Sequence, residues 1–173
     1  MSQTVLTLDR INALDRDGFV AALGHVFEHA PWVAAAAWEA RPFADADALH
    51  AAMLAAVREA GPERQVVLLR GHPELAGEDM RKRLLTADSE GEQASAGLID
   101  LGAEDAARFD ALNAQYRARF GFPFIIAVRE HTKDSILEAF ARRLAATPED
   151  ELATALGQVA RITRLRLRTL TEK

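Results

Sequence analysis

Apolar residues recur along most of the chain at intervals of three or four, the spacing of one face of an α-helix. Between about residues 15 and 29 this set includes Phe19, Leu23, Val26 and Phe27, which places them on a common helical face. Similar helical segments follow at about residues 31–41, 45–60, 63–70, 79–85, from 86 onward, 104–119, 133–146 and 148–171. These patterns predict an all-α protein, with residues 1–173 forming a single compact domain of about eight helices.

One stretch, at about residues 122–129, departs from the helical pattern. It reads Phe-Pro-Phe-Ile-Ile-Ala-Val-Arg, and its apolar, partly β-branched composition is typical of a strand. No second strand pattern exists that could pair with it, so we expect an extended, buried segment between helices. Its backbone N–H and C=O groups then need partners, and a polar ligand is one possible source of them.

Composition narrows the classes of function. The chain has 173 residues, a net charge of −5 and no cysteine, which excludes disulfides, thiolate nucleophiles and cysteine-ligated metal centres. The charge offers no general attraction for nucleic acid or anionic membranes, and no apolar stretch is long enough to span a bilayer. No secretory signal is visible at the N-terminus and the last three residues are not a peroxisomal signal, so we expect a cytoplasmic protein.

A turn separates two of the predicted helices at Gly71-His72-Pro73-Glu74-Leu75-Ala76-Gly77. Proline fixes its own φ and moves the preceding residue away from the α region, so His72 should lie on a stiff, non-helical turn. Imidazole is the side chain whose unperturbed pKa lies nearest neutrality, which suits a proton donor. The alternative is that the turn only ends a helix and the imidazole caps a carbonyl.

Further polar residues allow a structural and a functional interpretation. Ser89 and Glu92 have the Ser-x-x-Glu spacing of a capping box, although a helix N-terminus also suits an anionic ligand. His25 and His29 are four residues apart and could bind a metal from one helical face, but no third ligand is visible beside them. A metal-dependent hydrolase built on this pair, and a helical interaction module without catalysis, are the two competing hypotheses.

Several short motifs together resemble the 2-oxo-4-hydroxy-4-carboxy-5-ureidoimidazoline (OHCU) decarboxylases. In chain order they are Phe27-Glu28-His29-Ala30-Pro31-Trp32, Arg41-Pro42-Phe43, His72-Pro73-Glu74-Leu75-Ala76-Gly77, Ser89 with Glu92-Gln93 and Ala96-Gly97-Leu98, Leu112-Asn113 with Tyr116, Phe120 to Ile126, and Arg164-Leu165-Arg166-Leu167. They cover nearly the whole chain, and the combination of His-Pro-Glu-Leu-Ala-Gly with the later Phe-Gly-Phe-Pro-Phe is specific.

The resemblance implies a cofactor-free, all-helical and usually dimeric enzyme that decarboxylates OHCU to (S)-allantoin, the last step in converting urate to allantoin. His72 matches the catalytic histidine of the family, the presumed proton donor. The expected substrate-binding residues are Pro73, Ser89, Glu92, Gln93, Phe124, Ile125, Ile126, Ala127 and Val128. The expected partners are a small ureidoimidazoline substrate and a second copy of the chain, with no metal, nucleic acid or membrane.

Overall fold

Helices dominate the computed structural model, which describes residues 5–171. Within this range there are no β-strands. Ten α-helices follow one another there: α1 (Leu8–Ala13), α2 (Arg16–Leu23), α3 (Pro31–Ala37), α4 (Ala46–Glu59), α5 (Gly61–Arg70), α6 (Glu78–Arg81), α7 (Ala87–Ser95), α8 (Ala103–Phe120), α9 (Lys133–Leu144) and α10 (Pro148–Thr171). Two 3₁₀ helices lie at Trp38–Ala40 and Val128–Glu130. The predicted all-α class is confirmed.

The helix count exceeds the predicted number because α1 precedes the first predicted helical segment, which begins at about residue 15. Helix α1 is a separate short helix whose N-cap, Thr7, accepts a hydrogen bond from the Arg10 N–H at 3.4 Å. Helix α2 begins after Asp15, whose carboxylate accepts from the Gly18 N–H at 2.8 Å. Such side-chain caps satisfy backbone donors that a helix leaves open at its start, so each cap starts a new helix.

The predicted helix over residues 15–29 is too long at its C-terminal end. Helix α2 ends at Leu23, and the chain continues in turns in which the Val26 N–H donates to the Leu23 carbonyl at 3.1 Å. His29 has a φ of +50°, in the left-handed region that does not occur within a right-handed helix. The proposed metal pair of His25 and His29 therefore does not share a helical face, because the helix has ended before either residue.

The helices group into two compact units. The second unit, His72–Val159, contains the turn from His72 onward. The first unit contains the chain up to Gly71 together with the residues from Ala160 onward. In that unit α3 packs against α2 and α4, and α4 packs against α5. The prediction of one domain over residues 1–173 stays a prediction.

A buried ion pair joins the two parts of the chain that form the first unit. Arg166 Nη1 on α10 lies 2.8 Å from Glu28 Oε2, and the side chains are 3% and 2% exposed. The same nitrogen donates to the Val26 carbonyl at 3.3 Å. Both charges have left water, and their contact compensates part of the cost of burying them.

Aromatic rings form the core of the second unit. Phe124 stacks on Phe140 of α9 at a centroid distance of 3.7 Å, and Tyr116 of α8 meets Phe124 edge-on at 5.3 Å. Helix α8 ends where Gly121 takes a φ of +78°, a conformation that glycine adopts without strain. This turn directs residues 122–127 between the rings, which confirms the predicted non-helical buried segment over this range, whereas residues 128 and 129 of the predicted range belong to a 3₁₀ helix.

None of the helices within residues 5–171 has both the length and the apolar character required to cross a bilayer.

Candidate active site

The turn between α5 and α6 holds His72 in a buried, non-helical position. Helix α5 ends at Arg70, α6 starts at Glu78, and the residues between them form no helix. His72 is only 8% exposed. The turn is tight, because a Cβ on Gly77 would lie 2.9 Å from the Cβ of Glu74. A buried imidazole on such a turn has few orientations available, as the sequence predicts.

Gln93 of α7 fixes the backbone of this turn with both ends of its amide. Its Oε1 accepts from the Ala76 N–H at 2.9 Å, and its Nε2 donates to the Glu74 carbonyl at 3.3 Å. Gln93 is 2% exposed. Because one bond uses the acceptor and the other a donor, the side chain links α7 to the turn in one orientation.

Two further side chains bind backbone carbonyls of the same turn. Asn113 of α8 donates through Nδ2 to the Leu75 carbonyl at 2.9 Å, and Arg81 donates to the Ala76 carbonyl at 2.9 Å. Arg81 also contacts Asp110 of α8 at 3.1 Å. The turn is therefore held from three helices, which places the imidazole of the preceding His72 with little freedom.

The predicted capping box of Ser89 and Glu92 is wrong. Helix α7 starts one turn earlier than that pattern requires, with Thr86 as its N-cap accepting from the Ser89 N–H at 3.3 Å. Ser89 is therefore in the first turn of the helix rather than before it. A threonine hydroxyl serves as an N-cap in the same way as serine, and the sequence offers both residues within the same few positions.

Three polar side chains that do not serve as the helix cap are buried on one face of α7. Ser89, Glu92 and Gln93 are 4%, 9% and 2% exposed, and their spacing of three and four residues aligns them on the helix. Since Ser89 and Glu92 do not form the helix cap, their burial supports the other interpretation, in which this face lines a polar site.

The buried segment of residues 122–127 continues into the 3₁₀ helix Val128–Glu130, against which α7 packs. All five residues predicted to bind substrate here are at most 5% exposed: Phe124, Ile125, Ile126, Ala127 and Val128. Helix α7 thus contacts both the His72 turn, through Gln93, and the end of this segment. The structure brings together the three sequence regions that were predicted to form the site.

Side chains of α9 and α10 hold the segment from one direction. Arg143 Nη1 donates to the Ile125 carbonyl at 2.6 Å, and the Ala127 N–H donates to Gln158 Oε1 at 3.0 Å. Both adjoining peptide bonds are trans, as the one cis bond of the described residues is Arg41–Pro42. In a trans peptide the C=O and N–H point in opposite directions. The N–H and C=O of Ile126 therefore point away from Arg143 and Gln158.

Three buried polar side chains form a network behind the segment. Arg143 Nε donates to Glu151 Oε1 at 2.8 Å, and the Tyr116 hydroxyl donates to the same oxygen. Burial, and next the hydrogen bond to Glu151, raise the pKa of Tyr116 well above its usual value. The phenol therefore remains a hydrogen-bond donor at any physiological pH.

The chain is similar to known proteins over most of its length. The family model described as OHCU decarboxylase matches residues 12–168. The OHCU decarboxylase of Haloferax volcanii is 46% identical over 162 residues, which is 94% of each chain. That of Mus musculus is 43% identical and covers 93% of this chain and 90% of its own. A crystal structure of (S)-allantoin synthase superposes with a TM-score of 0.75 at 30% identity, over 94% of this chain and 53% of that one.

The chain belongs to the OHCU decarboxylase family.

All ten residues predicted for the site of this OHCU decarboxylase family member lie in the second unit. His72 is buried, and Pro73 beside it is half-buried. Gln93 differs from the prediction in one respect, because its amide binds the backbone of the turn rather than being left entirely for a ligand. The assignment of the ten residues to substrate stays a prediction.

Asn113 and Arg143 were not predicted, although the sequence carries a recognisable signal for each. Asn113 follows Phe109 by four residues and precedes Tyr116 by three, on the buried face of α8. Arg143 follows Phe140 by three residues on the buried face of α9. A polar residue at an apolar position of a helix needs a partner inside the protein, and here both partners are backbone carbonyls around the site.

Within residues 5–171, no three histidine, aspartate or glutamate side chains are grouped so that they could hold a metal ion. The hydrolase hypothesis required a helical histidine pair with a carboxylate beside it. With His25 and His29 off the helix and both exposed, this hypothesis has no site in the described part of the chain.

Proposed function

We propose that this protein decarboxylates OHCU to (S)-allantoin, the last step of urate-to-allantoin conversion in purine catabolism, with His72 as the proton donor. Membership of the OHCU decarboxylase family supports the reaction. The observation that carries the role of His72 is a buried imidazole on a turn whose backbone is fixed by Gln93, Asn113 and Arg81. An imidazole held in this way can deliver a proton to one face of a bound ring.

The chemistry of the substrate agrees with such a simple site. Ring carbon 4 of OHCU carries the hydroxyl and the carboxylate, and carbon 5 carries the ureido group and a C=N bond. When the bond to CO₂ breaks, its electron pair enters the C4–C5 bond and the C=N pair moves onto nitrogen. A proton then adds to carbon 5 while the C4 hydroxyl becomes a carbonyl. The substrate thus provides its own electron sink, and the enzyme provides orientation and a proton.

We assign the other site residues by their chemistry. The Glu92 carboxylate accepts hydrogen bonds from the N–H groups of the ureido substituent, and the Ser89 hydroxyl can donate or accept. Pro73 and the side chains of Phe124 to Val128 provide apolar surface for the ring. The Ile126 N–H and C=O, which point away from α9 and α10, bind ring atoms without adding charge.

The reaction itself is tested by supplying freshly generated OHCU and following optically active allantoin by circular dichroism. In deuterated water we expect one deuterium on the ureido-bearing carbon of the product, in a single enantiomer, because one imidazole delivers the proton to one face. Turnover should also survive exhaustive chelation and dialysis. Racemic product formed at the rate seen without enzyme, or activity lost to a chelator and restored by zinc, would contradict the mechanism.

We also propose that the enzyme is a cytoplasmic homodimer. The family resemblance supports the dimer, and the absence of cysteine agrees with a reducing compartment. Size-exclusion chromatography with light scattering at low micromolar protein should give about twice the monomer mass of 18.9 kDa. A measured mass equal to that of one chain would remove the dimer from the proposal.

A further inference from the structure

The buried arginine behind the site contacts the segment that is proposed to bind substrate. Arg143 Nη1 donates to the Ile125 carbonyl at 2.6 Å, and the residue is 8% exposed. A hydrogen bond from a charged donor is shorter and about twice as strong as one between neutral groups. The carbonyl oxygen of the Ile125–Ile126 peptide therefore accepts a hydrogen bond from a positively charged group.

The need for a counter-charge does not account for the contact between Arg143 and the Ile125 carbonyl. Arg143 already has its counter-charge in Glu151, with Nη2 2.6 Å from Oε1 and side chains 9% and 1% exposed. Buried ion pairs can often be replaced by apolar residues of similar volume without loss of stability. The additional hydrogen bond from Arg143 to the Ile125 carbonyl places the positive charge of the guanidinium next to one peptide group of the buried segment.

The N–H of the same peptide group, which belongs to Ile126, has no hydrogen-bond acceptor within residues 5–171. The Ile126 N–H points away from Arg143, and no residue between 5 and 171 accepts a hydrogen bond from it. Ile126 is 4% exposed, and leaving a buried N–H without an acceptor is unfavourable. A ligand that brings an acceptor to this position removes that cost.

We propose that Arg143 is a positioning residue that orients and polarises the Ile125–Ile126 peptide, so that the Ile126 N–H stabilises the charge that develops on the substrate ring as CO₂ leaves. This inference rests on the proposed decarboxylation. Hydrogen bonds in a chain strengthen one another by about 10–30% each, so a cation on the carbonyl makes the amide a better donor. The acceptor is the ring nitrogen, or the 2-oxo oxygen conjugated with it, where the electron pair from the broken bond accumulates.

A fixed donor at developing charge acts on kcat more than on binding. Removing an entire donor of this kind typically costs 10²–10³ in kcat. Arg143→Met keeps the amide but removes its polarisation, so we expect kcat to fall roughly tenfold to hundredfold. KM should change by no more than about threefold, because the interaction strengthens mainly in the transition state.

A double variant separates this role from a structural one. Arg143→Met alone leaves Glu151 buried without its counter-charge, whereas Arg143→Met with Glu151→Gln removes both charges, keeps an acceptor for the Tyr116 hydroxyl and should recover much of the lost stability. We expect the double variant to melt near the wild-type temperature and to keep the low kcat. Recovery of kcat together with stability would overturn the proposal.

The first unit provides a matched control. Arg166 is also a buried arginine paired with a buried glutamate, and it also donates to a main-chain carbonyl, that of Val26. Arg166→Met with Glu28→Leu makes a comparable chemical change at the ion pair of the first unit. This variant should keep the kcat of the wild type, and an equal loss of kcat in both double variants would count against a specific role of Arg143.

A spectroscopic measurement tests the polarisation without reference to turnover. The ¹⁵N chemical shift of the Ile126 amide responds to the hydrogen bond on the preceding carbonyl, so it should move upfield in Arg143→Met and remain in place in the Arg166→Met, Glu28→Leu protein. Arg143→Lys keeps the charge and should retain more of the shift and of kcat than Arg143→Met. An unchanged Ile126 shift in folded Arg143→Met would refute the inference, whereas failure of the wild type to convert OHCU would refute the proposed function.

Discussion

Replacing His72 by asparagine is expected to abolish nearly all turnover while the protein still folds. A general acid typically contributes about two to four powers of ten in rate, and asparagine cannot deliver a proton at neutral pH. The backbone contacts that hold the turn are made to Glu74, Leu75 and Ala76 rather than to the imidazole. The position should therefore accept a side chain of similar size.

The measurement is kcat with OHCU, combined with thermal melting and far-ultraviolet circular dichroism to verify folding. His25→Asn is the matched control, because it makes the same change at an exposed histidine of the first unit and should leave kcat unaltered. A folded His72→Asn protein with activity close to that of the wild type would refute the assignment of His72. Loss of activity in His25→Asn alone would instead revive the metal hypothesis.

The second large effect concerns stability. We expect Glu28→Ala to lower the free energy of unfolding by about 3–5 kcal/mol, because it removes the counter-charge that Glu28 provides to the buried Arg166. Both side chains are nearly inaccessible to solvent, so water cannot replace the lost partner. For a chain of this length the melting temperature should fall by roughly 6–20 °C.

Urea denaturation of a double variant distinguishes this cause from loss of packing. Glu28→Leu with Arg166→Met removes both charges and should restore most of the stability lost in Glu28→Ala. If the single variant loses less than about 1 kcal/mol, the pair is not important for stability. If the double variant is as unstable as the single one, the loss comes from packing rather than from the isolated charge.

The buried segment shows how far a sequence pattern can predict a site. Its apolar composition and the lack of a second strand predicted a buried, non-helical stretch whose backbone groups need partners. The sequence could not indicate that Arg143 and Gln158 provide two of these partners. Arg143 follows Ile125 by eighteen residues and Gln158 follows Ala127 by thirty-one, and pairings at such separations depend on how the helices pack.

The wrong end of the predicted helix over residues 15–29 and the wrong N-cap of α7 have a common cause. The helix over residues 15–29 was extended past Leu23 because apolar spacing continues through Val26 and Phe27, which are buried in turns rather than on a helix. The spacing of Ser89 to Glu92 predicts an N-cap at Ser89, whereas Thr86 three residues earlier takes that position. Periodicity and caps are local signals, and packing selects among local alternatives of similar energy.

By itself the sequence determined the all-α class, the non-helical turn at His72, the buried segment near residue 125 and the family to which these motifs belong. These features follow from local chemistry: proline and glycine restrict the backbone, and apolar spacing selects helices. Only the tertiary structure decided that Gln93, Asn113 and Arg81 fix the turn and that Arg143 binds the Ile125 carbonyl. The reason is that a buried polar side chain must find a partner, but which partner it reaches depends on the positions of helices distant in sequence.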